Sequence, residues 1–297
     1  MRILLTGSSG QVGGALLPML EQRGVVLVPP RDAFDLSRPE TLALALDVLR
    51  PDLIINPAAY TAVDQAQDAP ELAFRVNAEA PGMIAKWAAR NDAAMIHFST
   101  DYVFDGAGVE PWREDSEPSP LSVYGQSKLA GDQAVLEAGC AHLIVRTSWV
   151  YAARGRNFLT AMLRLASERE ELRVVADQFG APTPARVIAE TLTKILETVG
   201  VDPISVRGQR SGILNIACSG EASWHAFAEA IVDGMKVRGM NPKAKRVVRI
   251  SSSEFPTRAK RPRNSRLHLG LLDAKFGVIP PPWNQSLEYE LDQLSGT

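Results

Sequence analysis

The chain has 297 residues, of which 45% are hydrophobic and 22% charged. That is enough for one large α/β domain, or a large and a small one, and too apolar for a disordered chain. With 32 Lys+Arg against 34 Asp+Glu the formal net charge is -2, so no global field would collect nucleic acid.

Cys140 and Cys218 are the only cysteines, which excludes a disulfide framework and a cysteine zinc cluster. No segment approaches the roughly 20 apolar residues of a membrane span. The short apolar run after Met1 ends in a turn rather than in a secretory cleavage site, so a cytoplasmic protein is expected.

In chain order, short β-branched runs predict strands over Ile3–Thr6, Val25–Val28, Leu53–Asn56, Met95–Ser99 and His142–Thr147. Amphipathic stretches near Val12–Arg23, Pro39–Arg50, Pro70–Arg90 and Val123–Ala138 predict the helices between them. Strands this apolar are buried on both faces, and helices of this length suit right-handed crossovers. The expected fold is therefore α/β, a doubly wound parallel sheet of Rossmann type.

After Trp149 the rhythm breaks, with longer loops at Ala176–Pro184 and Pro256–Ser265. A helix over Ala185–Val199, a strand over Ile213–Ile216 and a helix over Ser223–Arg238 are expected there. This divides the chain into a dinucleotide-binding domain (1–150) and a smaller C-terminal substrate-binding lobe (151–297). Elements near 185–200 and 212–217 are expected to return to the first.

Thr6-Gly7-Ser8-Ser9-Gly10-Gln11-Val12-Gly13 follows the first strand and opens the first helix. Gly7 and Gly10 allow a sharp turn that brings backbone N–H groups, with those of Gln11 and Val12, to a pyrophosphate at the positive end of the helix. Gly13 lets the helix pack closely on the strand. The second strand ends Pro29-Pro30-Arg31-Asp32. Arg31 suits the 2′-phosphate of NADPH, whereas an acidic residue such as Asp32 would suit the ribose 2′-OH of NADH. NADPH is favoured and NADH stays possible.

Tyr124 and Lys128 stand four residues apart on one face of a predicted helix. A tyrosine hydroxyl titrates near ~10, and bringing it to ~7 takes about 4 kcal/mol of differential stabilisation, much of which a neighbouring ammonium can supply. Lys128 would also hold the nicotinamide ribose. Thr100 ends the fourth strand, at the carboxyl edge where such sheets bind ligands, and its hydroxyl would bond the reacting oxygen alongside Tyr124.

The G-x-x-G-x-x-G spacing combines here with Asp35-Leu36 after the second strand, Ala58-Ala59 after the third and Ser99-Thr100 after the fourth. In this the chain resembles the extended short-chain dehydrogenase/reductase family. The resemblance places Asp35, Leu36, Ala58, Ala59, Tyr60, Thr61 and Ser99 at the cofactor. Sugar-nucleotide dehydratases of the family carry Thr-Asp-Glu where this chain has Thr100-Asp101-Tyr102, and elimination needs that acidic pair.

Ser99-Thr100-Asp101-Tyr102-Val103-Phe104 instead resembles the family's dTDP-4-dehydrorhamnose reductase branch. So do Asn56 to Asp64, Arg146 to Tyr151, Asp177 to Thr183 and Arg261 to Leu267. The resemblance implies NAD(P)H-dependent reduction of the C4 keto group of dTDP-4-dehydro-L-rhamnose to dTDP-L-rhamnose, with Tyr124 as proton donor. Thr100 and Asp101 would hold the sugar, and Trp149 would stack on it unless it is a core tryptophan. Arg261 would bind the diphosphate.

Some branch members bind magnesium between subunits through glutamates at positions occupied here by Ala15, Arg186 and Gln293. None is a carboxylate, so no metal is expected. The expected partner is a small nucleotide sugar, without nucleic acid or membrane, and the expected state a monomer or weak homodimer. A catalytically dispensable NADP-binding regulatory subunit and a sugar-nucleotide epimerase are the competing readings.

Overall fold

A computed structural model of the chain describes residues 1–199 and 212–295. The last residue of the expected 185–200 element and the end of the 151–297 lobe lie outside the described residues.

The centre is a six-stranded parallel sheet of β1 (Arg2–Leu5), β2 (Val25–Leu27), β3 (Leu53–Asn56), β4 (Ala94–Thr100), β5 (Ala141–Thr147) and β10 (Gly212–Asn215). Its order is β2-β1-β3-β4-β5-β10. Residues alternate across it as the period of two demands. Ile3, Leu5, Ile55, Ile96 and Val145 face one helical layer, of α1 (Gln11–Leu20) and α8 (Ala185–Val199). Leu4, Ile54, Met95 and Ile144 face the other, of α2 (Pro39–Leu49), α5 (Ala80–Arg90) and α6 (Val123–Ala138). Two buried faces explain why these strands read as unbroken apolar runs.

The strand direction of growth reverses between β1 and β3, the crevice where such sheets bind ligands. The stretch expected as one helix over Pro70–Arg90 is divided. Helix α4 (Pro70–Phe74) runs into a π-helical turn over Arg75–Glu79 before α5. That turn carries the buried Asn77, whose Oδ1 accepts from Tyr60 N at 2.8 Å and whose Nδ2 donates to Tyr60 O at 3.1 Å and Ser127 Oγ at 3.0 Å. The wider turn thereby ties the loop after β3 to α6, a tertiary demand with no signature in the helical period.

Beyond β5 the chain builds a second core from Tyr151, Leu159, Leu172, Phe227, Ile231, Leu287 and Leu291. Its elements include α7 (Phe158–Glu168), the parallel pair β7 (Glu171–Val175) with β12 (Arg246–Ile250), α9 (Trp224–Val237) and α11 (Trp283–Ser295). The segment between β7 and α8 also holds two short strands, β8 (Phe179–Gly180) and β9 (Thr183–Pro184). Helix α7 begins with a capping box between Asn157 and Thr160. Strand β10 starts at Gly212, one residue before the expected run, and pairs with β5.

Residues 256–266 cross back to the first domain as a strap. Arg258 pairs with Asp68, Ala259 N donates to Asp64 Oδ1 at 3.0 Å, and Trp112 Nε1 donates to Asn264 O at 2.9 Å.

Candidate active site

The turn between β1 and α1 has no room for a side chain at Gly7 or Gly13. Gly7 lies in the left-handed region at φ 57°, and a Cβ on Gly13 would stand 2.1 Å from the Gly7 carbonyl oxygen. Gly10 N donates to Gly7 O at 2.9 Å, and Gly10 offers no side-chain cap to the helix it opens. The first N–H groups of α1 are thus left for a ligand. Gln11 Oε1 is buried without a hydrogen-bond partner among the described residues, while Val12 packs on the core. A cradle that a Cβ would fill, an uncapped helix start and an orphaned polar atom together fit a pyrophosphate.

At the adenosine end, Asp35 accepts from Ser37 N at 2.9 Å and Ser37 Oγ at 2.8 Å. These bonds, with the charges of Arg31 and Arg38, hold its carboxyl below the usual range. Asp35 is thus engaged with its own turn, and Leu36 is a core residue of the sheet. Two arginines beside it suit a phosphate rather than a bare ribose hydroxyl. Arg38 escaped the sequence reading. Ala58, Ala59 and Tyr60 are half-buried on the loop after β3, and Thr61 is exposed.

Thr100, Tyr124 and Lys128 come together at the carboxyl end of β4. Ser122 caps α6 by accepting from Gly125 N at 3.2 Å, which fixes where Tyr124 enters the site. The Thr100 hydroxyl opposes the effect of burial on the Tyr124 hydroxyl. Thr100 Oγ1 donates to Asp101 Oδ1 at 3.1 Å and accepts from Tyr102 N at 3.2 Å.

Burial pushes the Tyr124 hydroxyl well above its ordinary range. This is opposite to the depression expected from Lys128. The reason is direction: Lys128 Nζ donates to Phe98 O at 2.5 Å and lies 3.4 Å from His97 Nε2, turned toward β4. Burial draws Lys128 down to about 8, with Asp132 opposing. Ser99, expected at the cofactor, spends its hydroxyl on Asp132 Oδ2 at 2.6 Å.

Asp101 is buried, and burial raises its carboxyl to about 7, opposed by the Ser265 and Thr100 hydroxyls. Its Oδ2 has no hydrogen-bond partner among the described residues. Trp149 stacks on Trp224, ring centroids 3.5 Å apart and 9° from parallel. A Cβ on Gly180 would meet the Trp149 ring at 2.6 Å, so protein covers much of the indole. Its backbone φ of 47° is left-handed, an uncommon state for a side-chain-bearing residue.

Arg261 is engaged within the protein: its Nη2 donates to Asp64 Oδ2 at 2.8 Å and its Nη1 to the Tyr102 hydroxyl at 3.0 Å. Tyr102 in turn meets Tyr124 edge to face, centroids 5.5 Å apart. Sequence reasoning missed Tyr102, Ser148, Trp224 and Ser265. Tyr102 carried a signal, as the residue standing where dehydratases have glutamate, and Ser148 and Ser265 lie within stretches that carry the family resemblance.

Of the three positions compared with a metal site, Arg186 bridges Glu190 at 2.9 Å and Glu290 at 3.0 Å. It also lies over the Tyr289 ring at 3.8 Å. Ala15 packs on the core beside α8, and Gln293 lies on α11.

The dTDP-4-dehydrorhamnose reductase of Burkholderia thailandensis is 45% identical over 97% of each chain, and that of Shigella flexneri 40% identical over 100% of this chain and 99% of its own. Among solved structures, the dTDP-4-dehydrorhamnose reductase of Clostridium acetobutylicum superposes with a TM-score of 0.90 at 33% identity, covering 99% of both chains. That of Bacillus anthracis, in complex with NADP, gives 0.89 at 33% identity, covering 98% of this chain and 99% of that one. The family model described as RmlD substrate binding domain matches residues 1–295. The chain belongs to that family.

Proposed function

We propose that the chain reduces the C4 keto group of dTDP-4-dehydro-L-rhamnose to dTDP-L-rhamnose with NADPH. The observation that carries the reading is Tyr124: a buried phenol next to Thr100 in a parallel sheet whose first helix opens on a glycine cradle. When bound, NADPH supplies the hydride.

Tyr124 gives its proton to the forming alkoxide. Its upward shift suits that role, because the phenol must arrive protonated and an alkoxide is a far stronger base than a phenolate. Thr100 orients the carbonyl oxygen together with Tyr124. Asp101, half-protonated near pH 7, offers the sugar either a donor or an acceptor. The Trp149 indole, braced by Trp224, forms an apolar edge for the 6-methyl group.

Residues 7–13 and the loop 58–61 hold the dinucleotide, with Arg31 and Arg38 at its 2′-phosphate. The 1–150 domain, joined by 185–199 and 212–215, serves the cofactor, and the rest of the second lobe serves the sugar nucleotide. The NADP complex of the Bacillus anthracis relative supports the cofactor. Among the described residues, no helix is long and apolar enough to cross a membrane.

The test is loss of NADPH absorbance on adding the 4-keto sugar nucleotide to purified protein. No turnover by protein that binds NADPH tightly would favour a regulatory subunit. Stoichiometric NAD surviving dialysis would favour an epimerase.

A further inference from the structure

Behind Tyr124 lies a group of buried titratable side chains. His97 on β4, Lys128 and Asp132 on α6, and Arg146 on β5 are each 2% exposed or less. Asp132 Oδ2 accepts from Ser99, as described, and lies 3.9 Å from Arg146 Nε. Asp132 Oδ1 lies 3.9 Å from His97 Nε2, and neither Oδ1 nor Arg146 Nε has a hydrogen-bond partner among the described residues.

The other side of His97 is held by a short chain of hydrogen bonds. Ala58 N donates to Thr6 Oγ1 at 3.3 Å, Thr6 Oγ1 donates to Asn56 Oδ1 at 2.6 Å, and Asn56 Nδ2 stands 3.2 Å from His97 Nδ1. Nε2 then faces Lys128 Nζ at 3.4 Å and Asp132 Oδ1 at 3.9 Å. Burial, then the charge of Lys128, keeps the ring neutral.

A buried ammonium is costly unless a counter-charge accompanies it. The titratable groups around Lys128 are Asp132 and Tyr124 from its own helix and His97 from β4. Arg146 from β5 faces Asp132. The carboxylate is therefore the counter-charge of Lys128, and Arg146 shares it.

We propose that Asp132 and His97 are positioning residues of this site: the Asp132 carboxylate keeps Lys128 an ammonium, and His97, fixed by Asn56, holds its stem against β4. A charged Lys128 on the face of α6 that carries Tyr124 is then a built property of the fold. Lys128 already lies at about 8 with Asp132 opposing the burial. Without that carboxylate its ammonium is lost at lower pH.

The test is Asp132→Asn in the full chain, with one readout free of cofactor and turnover. The chain has four histidines, and in 15N-histidine-labelled protein the His97 signal is identified by its absence from His97→Gln. In the parent protein His97 stays neutral from about pH 6 to 9, and its signal steps as Lys128 titrates. In Asp132→Asn that step moves down by about a pH unit or more. The alkaline limb of kcat/KM for NADPH-dependent reduction moves with it, and Asp132→Glu returns both toward the parent.

If Asp132→Asn does not fold, Ser99→Ala serves. It removes the hydroxyl that stabilises the carboxylate, and the acid limb and the acid side of the histidine signal move up. An unmoved histidine step overturns the inference whatever the activity. The kinetic arm alone rests on the reductase reading. Expected histidine behaviour in a protein that never turns over NADPH would sink that reading and leave the positioning role standing.

Discussion

Replacing Gly13 with alanine places one methyl group 2.1 Å from the Gly7 carbonyl oxygen and 2.9 Å from Ser8 N, where ordinary contact begins at 3.4 Å. Both are backbone atoms, so no side chain can swing away. The turn or the start of α1 must move by more than an ångström. The N–H groups that would meet the pyrophosphate are carried on that backbone, and hydrogen bonds to charged groups contribute about 1.5–3 kcal/mol each. Misplacing two of them costs about 3–6 kcal/mol, or at least about 100-fold in NADPH affinity. Fluorescence titration with NADPH measures it, with a melting curve alongside to follow the overpacking, about 1–3 kcal/mol. An affinity within about threefold of the parent, in a folded variant, would refute the cradle as the pyrophosphate site.

Tyr124→Phe should lose at least about 100-fold in turnover while binding NADPH normally; near-parent turnover would mean the proton comes from elsewhere. Asp101→Asn tests a pH dependence. The carboxyl titrates at about 7 when folded against 3.8 ordinarily, so the folded state binds the extra proton and is destabilised as pH rises through that window. The asparagine variant should gain stability relative to the parent between those values and hold the gain above them; a difference in Tm that does not change with pH would contradict the assignment. Trp224→Ala removes the support of Trp149 and should raise KM for the sugar nucleotide more than it lowers kcat. Equal binding of the sugar nucleotide by parent and variant in calorimetry would show that the stack has no part in recognition.

Much of the first domain was legible because its signals are local. Gly7, Gly10 and Gly13 sit in a strand–turn–helix, and Tyr124 and Lys128 are neighbours by helical geometry alone. The apolar strands announced burial on both faces. The second lobe was harder: α7 opens with a capping box that a closer reading of Asn157-Phe158-Leu159-Thr160 could have found, but β7 and β12 pair across some seventy intervening residues. The direction of the Tyr124 shift was out of reach, since it depends on where the Lys128 ammonium points. His97, Asp132 and Arg146 were equally hidden, each lying within a strand or helix whose period says only that it is inside. Arg261 shows the limit most plainly, because its partner Asp64 stands nearly two hundred residues earlier in the chain.

That strap also bears on the order of assembly during synthesis. When the ribosome has delivered β1 to β5, the whole sheet except its last strand can form, and Tyr124, Thr100 and Lys128 are already on it. Ser265, which bonds the Asp101 carboxyl, is still to be made. Closing so long a loop costs little more than closing a shorter one, so the wait is one of timing rather than of stability. Until it arrives, a half-made chain carries Thr100, Tyr124 and Lys128 without the residue that steadies Asp101.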